Sequence, residues 1–134
     1  MKFTSIHTSM RVRPADLDIL GHVNNAVVLE YLEAGRWAWM NTHGIKRQHH
    51  IVPVVTRVEI DYRREIGMQD LVVQTELRDP PTDFDDDIFR VVFQQRVLTD
   101  NESVATEALV SVGFLDAQSR TLRTLNEYLS TETR

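Results

Sequence analysis

Arg13-Pro14-Ala15-Asp16-Leu17-Asp18-Ile19-Leu20-Gly21-His22-Val23-Asn24-Asn25 is the stretch on which the reading of this chain turns. It places two carboxylates, an imidazole and two amides in a tight turn that runs straight into a helix. Asn24 is a good N-cap, because its side-chain oxygen accepts from an early helical N–H. Gly44 is a good C′ residue for the other end, so the spacing predicts a helix over Asn25 to Thr42. Val27, Val28, Leu29, Tyr31, Leu32, Ala34, Trp37, Ala38, Trp39 and Met40 cover more than one stripe of it. A helix apolar on most sides is expected to be wrapped by other elements.

Outward from this segment, period-two alternation marks strands with one buried face. A first strand fits Ile6–Val12 and stops at Pro14. After the helix, the even positions Val54, Thr56, Val58, Ile60 and Tyr62 form the apolar row of a second. Leu71, Val73, Thr75 and Leu77 give a third, and Phe89, Val91, Phe93, Gln95 and Val97 a fourth. Val104, Thr106, Ala108, Val110, Val112 and Phe114 give a fifth, joined to the fourth by a turn at Asp100-Asn101-Glu102. A short helix is expected at Thr124–Leu129. The order β-helix-β-β-β-β describes an α+β chain: a five-stranded antiparallel sheet curled around one long helix.

The chain has 134 residues, which favours one domain spanning 1–134, and a mean hydropathy of −0.30. Without cysteine it holds no disulfide, thiolate metal site or thiol nucleophile. No stretch approaches the ~18 apolar residues of a membrane span. The N-terminus lacks a signal-peptide core, so a cytoplasmic location is expected. The net charge of −5 argues against nucleic acid as a partner. Its excess lies in Asp79, Asp83, Asp85, Asp86 and Asp87, opened by Pro80 and Pro81, which reads as a solvated connection between strands. The run lacks the glycine and terminal glutamate of a calcium loop.

The turn before the helix carries the chemistry. The first helical N–H groups have no partner within the helix, and the dipole makes that end electropositive. Such an end stabilises an oxyanion, and a carboxylate beside it acts as nucleophile or as general base towards water. These are the parts for acyl transfer. Asp, Asn and Gly are also ordinary residues of a capping loop, so both readings stand on the residues alone.

Asp16-Leu17-Asp18-Ile19-Leu20-Gly21-His22-Val23-Asn24-Asn25, with Tyr31-Leu32-Glu33-Ala34-Gly35-Arg36 downstream, resembles the hot-dog-fold acyl-CoA thioesterases of the 4-hydroxybenzoyl-CoA thioesterase type. Asp61-Tyr62-Arg63-Arg64 matches a further signature of that family. The resemblance implies a hot-dog fold and hydrolysis of an acyl-CoA thioester, with coenzyme A as part of the substrate and no metal or cofactor. It aligns Asp18 with the catalytic carboxylate and Asn25 with the residue whose backbone N–H faces the thioester carbonyl. His22 becomes a site candidate, and Gly21 is expected to let the loop backbone approach the ligand. The chain departs from the family at Val28, where a tyrosine is common, and at Glu65 and Gln69, which stand in place of proline and glycine.

Other residues read more plainly. Arg63 and Arg64 suit coenzyme A phosphates or a solvated strand end. Asp16 is expected to be a loop acceptor, Glu33 and Arg36 an i, i+3 pair, and His43, His49 and His50 a polar loop. The rival functions are an acyl-carrier-protein thioesterase, a hydratase using an Asp/His pair, and a non-catalytic acyl-thioester binding module. The resemblance also implies sheets joined edge to edge, with a homodimer as minimum unit and a homotetramer beyond it.

Overall fold

The computed structural model describes residues 2–46, 50–81 and 87–131. After β1 (Ile6–Arg11) and a 3-10 turn (Pro14–Asp16) comes the long helix α1 (Asn25–Thr42), followed by β2 (Ile51–Tyr62). Then come β3 (Asp70–Arg78), β4 (Arg90–Leu98) and β5 (Val104–Asp116), a two-residue β6 (Leu122–Arg123) and α2 (Leu125–Thr131). The sheet runs β1-β3-β4-β5-β2, antiparallel throughout, with β6 paired to β5. The short β6 is a sixth strand that the alternation does not reveal, since two residues carry no period.

Both ends of α1 fall where the capping residues put them. The Asn24 side chain accepts from the Ala26 N–H at 2.8 Å. At the other end Gly44 takes φ +77°, its N–H donates to the Asn41 carbonyl, and Ile45 donates to Met40. Those two bonds form a Schellman motif and satisfy carbonyls that the helix itself leaves open. Thr124 and Glu127 cap α2 reciprocally, each side chain accepting from the other's backbone N–H.

The helix lies across β1, β3 and β4. Its buried stripe is Val28, Tyr31, Leu32, Gly35, Trp39 and Met40. Leu29 on the far side is 41% exposed, so the sheet covers one face of the helix and not most sides. Gly35 is where the two layers come closest. A Cβ there would stand 2.6 Å from Val73 Cγ1 and 3.0 Å from Thr75 Oγ1. Gln95, buried beneath, donates to the Leu32 carbonyl and to Thr75 Oγ1, and accepts from Arg36 Nη1 at 3.1 Å. Arg36 is therefore held by Gln95 and not by a bonded pair with Glu33.

The inward rows of β3, β4 and β5 are the expected ones, apart from Phe89, which precedes β4 and is exposed, and Val104, which a bulge at Ala105 puts opposite Leu98 on the other face. In β2 the row changes phase. A bulge leaves Thr56 unpaired between Val55, opposite Val112, and Arg57, opposite Ser111. Residues opposite one another share a face, so the inward set is Pro53, Val55, Val58, Ile60 and Tyr62; Val54 and Thr56 are not in it. This edge strand is also poorly covered: Val55, Val58 and Tyr62 are about two-fifths exposed. Asp83, Asp85, Asp86 and His49 lie outside the described residues. Among the described residues no helix is long and apolar enough to cross a membrane.

Candidate active site

The turn before α1 is stitched to itself and to its surroundings. Asp16 is 2% exposed. Its Oδ2 accepts from the Tyr31 hydroxyl at 2.6 Å, and its Oδ1 accepts from Arg13 Nη2 at 2.9 Å. The Tyr31 hydroxyl and then Arg13 hold this carboxyl down at about 2, against the opposing effect of burial. Burial and the adjacent carboxylate push the Tyr31 phenol well up. Asp16 is thus the anchor of the turn, and its carbonyl receives the Asn24 N–H at 3.0 Å. The Val23 N–H donates to the Ile66 carbonyl, tying the turn to the segment after β2.

Asp18 is presented by this scaffold at the surface. Its Oδ1 accepts from the backbone N–H of Leu20 at 2.9 Å and of His22 at 3.1 Å. Oδ2 has no partner among the described residues. Gly21 takes φ +81°, and a Cβ there would meet nothing within 4 Å. The glycine is required for its left-handed backbone, and it does not line the cavity described next.

One cavity of about 250 Å³ gathers Asp18, His22, Asn25, Arg63 and Arg64. Val23, Val28 and Ile66 form apolar parts of its wall, and Tyr62, Glu65 and Thr106 complete the polar ones. Asn25, beside the cavity, opens α1 at the positive end of the helix dipole. The Tyr62 hydroxyl donates to the Asn25 carbonyl at 3.0 Å, and partial burial raises its phenol. A phenol thus reaches the helix start from β2, although Val28 occupies the position where the resembling family often carries one. His22 Nε2 lies 3.1 Å from Glu65 Oε2. Arg63 is bound to Glu107 at 2.7 Å, whereas the exposed Arg64 is in no ion pair among the described residues.

Glu65, Tyr62 and Thr106 are site residues that sequence reasoning did not select. Glu65 left a trace as a departure from the usual proline, Tyr62 stood in the Asp61-Tyr62-Arg63-Arg64 signature without a role, and Thr106 read only as a strand position. His43 lies elsewhere, with Nε2 accepting from the Thr4 N–H and Nδ1 against the Trp39 carbonyl. Among the described residues no cluster of three or more His, Cys, Asp or Glu side chains is arranged to hold a metal ion.

A family model described as the thioesterase-like superfamily matches residues 12–130. The chain belongs to that superfamily. Its sequence is 37% identical over 79 residues to the long-chain acyl-CoA thioesterase FadM of Escherichia coli, a match covering 52% of this chain and 55% of FadM. The match thus spans about half the length of that curated relative. Among solved structures, the DHNA-CoA thioesterase from Staphylococcus aureus superposes with a TM-score of 0.84 at 16% identity, over 95% of this chain and 85% of that one. A thioesterase from Thermus thermophilus, complexed with coenzyme A and Zn, gives a TM-score of 0.75 at 27% identity and covers 99% of both chains. These likenesses give this member of the thioesterase-like superfamily the hot-dog fold that its Asp16–Asn25 segment implied.

Proposed function

We propose that this chain hydrolyses an acyl-CoA thioester to the free acid and coenzyme A. The observation that carries the reading is that Asp18 and the Asn25 end of α1 border one cavity. The Asn25 N–H then donates to the thioester carbonyl, and the helix dipole favours the negative charge that develops on that oxygen. Asp18, through the oxygen not used by the turn, takes a proton from water as the water attacks, or attacks the carbonyl itself. In the first route the tetrahedral oxyanion collapses and expels the coenzyme A thiolate. In the second an acyl-aspartyl anhydride forms with loss of the thiolate, and water then cleaves it. His22, held by Glu65, is the proton carrier beside this centre. Arg64, and Arg63 less freely, meet the phosphates of coenzyme A at the mouth. The reaction so written needs no metal or further cofactor.

A cavity of about 250 Å³ is small for a coenzyme-sized ligand. The uncovered edge strand β2 and the open side of α1 support a homodimer as the minimum unit, each site being completed by the partner. Back-to-back pairing would then give a tetramer. The decisive experiment presents the purified protein with a panel of acyl-CoA esters and reads free thiol. Release of thiol is expected. Tight binding without release would replace the enzyme by a binding module.

A further inference from the structure

Thr106 is 1% exposed, and its Oγ1 has no hydrogen-bond partner among the described residues. It borders the same cavity as Asp18 and Asn25, and a turn about its χ1 would bring the covered hydroxyl to that surface. On β5 it stands opposite Tyr62, whose hydroxyl reaches the start of α1, so Thr106 lies on the sheet-side floor beneath that helix end. The wall around it includes Val23, Val28 and Ile66, which offer a hydroxyl nothing. A buried hydroxyl left unpaired works against folding, and valine would fill the same strand position without that penalty.

Resting on the thioesterase reading above, we propose that Thr106 hydrogen-bonds an oxygen carried by the acyl group. The preferred substrates then bear a hydroxyl or keto oxygen close to the thioester and not a plain alkyl chain. The layout of the cavity assigns the partner to the acyl group. Arg63 and Arg64 are exposed and mark the mouth, where the coenzyme leaves. Asp18, which acts on the water, is at the rim. The floor is what the acyl group meets. A few placed polar groups are how small-molecule sites fix identity, and Thr106 is the buried one left without a partner here. A site built to bond a substrate hydroxyl also rejects the analogue lacking it far more strongly than an apolar pocket rejects an extra methylene.

The test compares kcat/KM within matched pairs: 3-hydroxyacyl-CoA and 3-oxoacyl-CoA against the unsubstituted acyl-CoA of equal length, and 2-hydroxybenzoyl-CoA against benzoyl-CoA. The wild type is expected to favour the oxygenated member of at least one pair by about tenfold or more. In Thr106→Val that ratio should collapse towards one, with the melting temperature at or above wild type. Thr106→Ser should keep the preference. A wild type without preference in every pair, or a Thr106→Val ratio equal to that of wild type, would overturn the inference while leaving hydrolysis standing. A protein that hydrolyses no acyl-CoA would instead remove the thioesterase reading and this inference together.

Discussion

Nε2 of His22 and Oε2 of Glu65 lie 3.1 Å apart, joining the turn before α1 to the chain just beyond β2. The pair is partly exposed, so its strength as an ion pair is small, about 0–1 kcal/mol. Its value is directional, since the carboxylate fixes which way the imidazole faces. His22→Ala is expected to lower kcat about 10²-fold with little change in melting temperature, and Glu65→Gln to lower it less. Steady-state kinetics check this: an unchanged kcat with a raised KM would make His22 a brace of the loop and nothing more.

Asp18→Asn should lower turnover by about 10²-fold or more while the fold survives. The amide oxygen still accepts from Leu20 and His22, so the turn keeps its shape and only the basic oxygen is lost. Circular dichroism and a thiol-release assay on the same preparation decide it. Activity above about a tenth of wild type would move the reaction to another group.

Asp16→Asn should act on stability first. The carboxylate receives the Tyr31 hydroxyl and the Arg13 guanidinium in a buried position, and weakening them costs about 1–3 kcal/mol. The folded group titrates at about 2 against an ordinary 3.8. Its stabilising contribution is therefore complete above the ordinary value and is lost as the pH falls through about 2. Denaturant titrations between pH 2 and 6 should show wild type losing stability at the acid end, with a flatter profile for the variant.

In the proposed homodimer each site is completed by the partner, so thiol release per chain should fall as dilution separates the subunits. Light scattering at assay concentration provides the companion measurement. A fully active monomer would exclude a shared site.

The helix bounds and, Phe89 and Val104 apart, the rows of β3, β4 and β5 were legible because capping residues and alternation are local. Thr56 shows where this stops. A bulge adds one residue without a glycine or proline to announce it, so Val54 reads as buried while Val55 takes the inward place. The buried stripe of α1 was hidden for the opposite reason, an excess of apolar residues in which Glu30, Glu33 and Asn41 mark the outside only thinly. That Asp18, His22, Asn25, Arg63 and Arg64 border one cavity agrees with segments that resemble a known pattern. Glu65 is far from His22 in sequence, and the unmet hydroxyl of Thr106 exists only in three dimensions; neither leaves a periodic signal. For Gly21 the structure shows a left-handed φ, which the sequence does not announce.

Gly35 turns the contact between helix and sheet into a pivot. It sits ten residues from Asn25, a lever arm of about 15 Å along the helix axis. A methyl at Gly35 would push against Val73, Thr75 and Gln95, at 2.6, 3.0 and 3.2 Å. If the helix yields by tilting about 4°, its far end swings by about 1 Å, and a displacement of that size can cost about 10²-fold in rate. Gly35→Ala should therefore lose more activity than its melting temperature suggests, with kcat, measured below the unfolding range, as the readout. Catalytic alignment in this chain is then set partly at a fulcrum about three turns away from the chemistry.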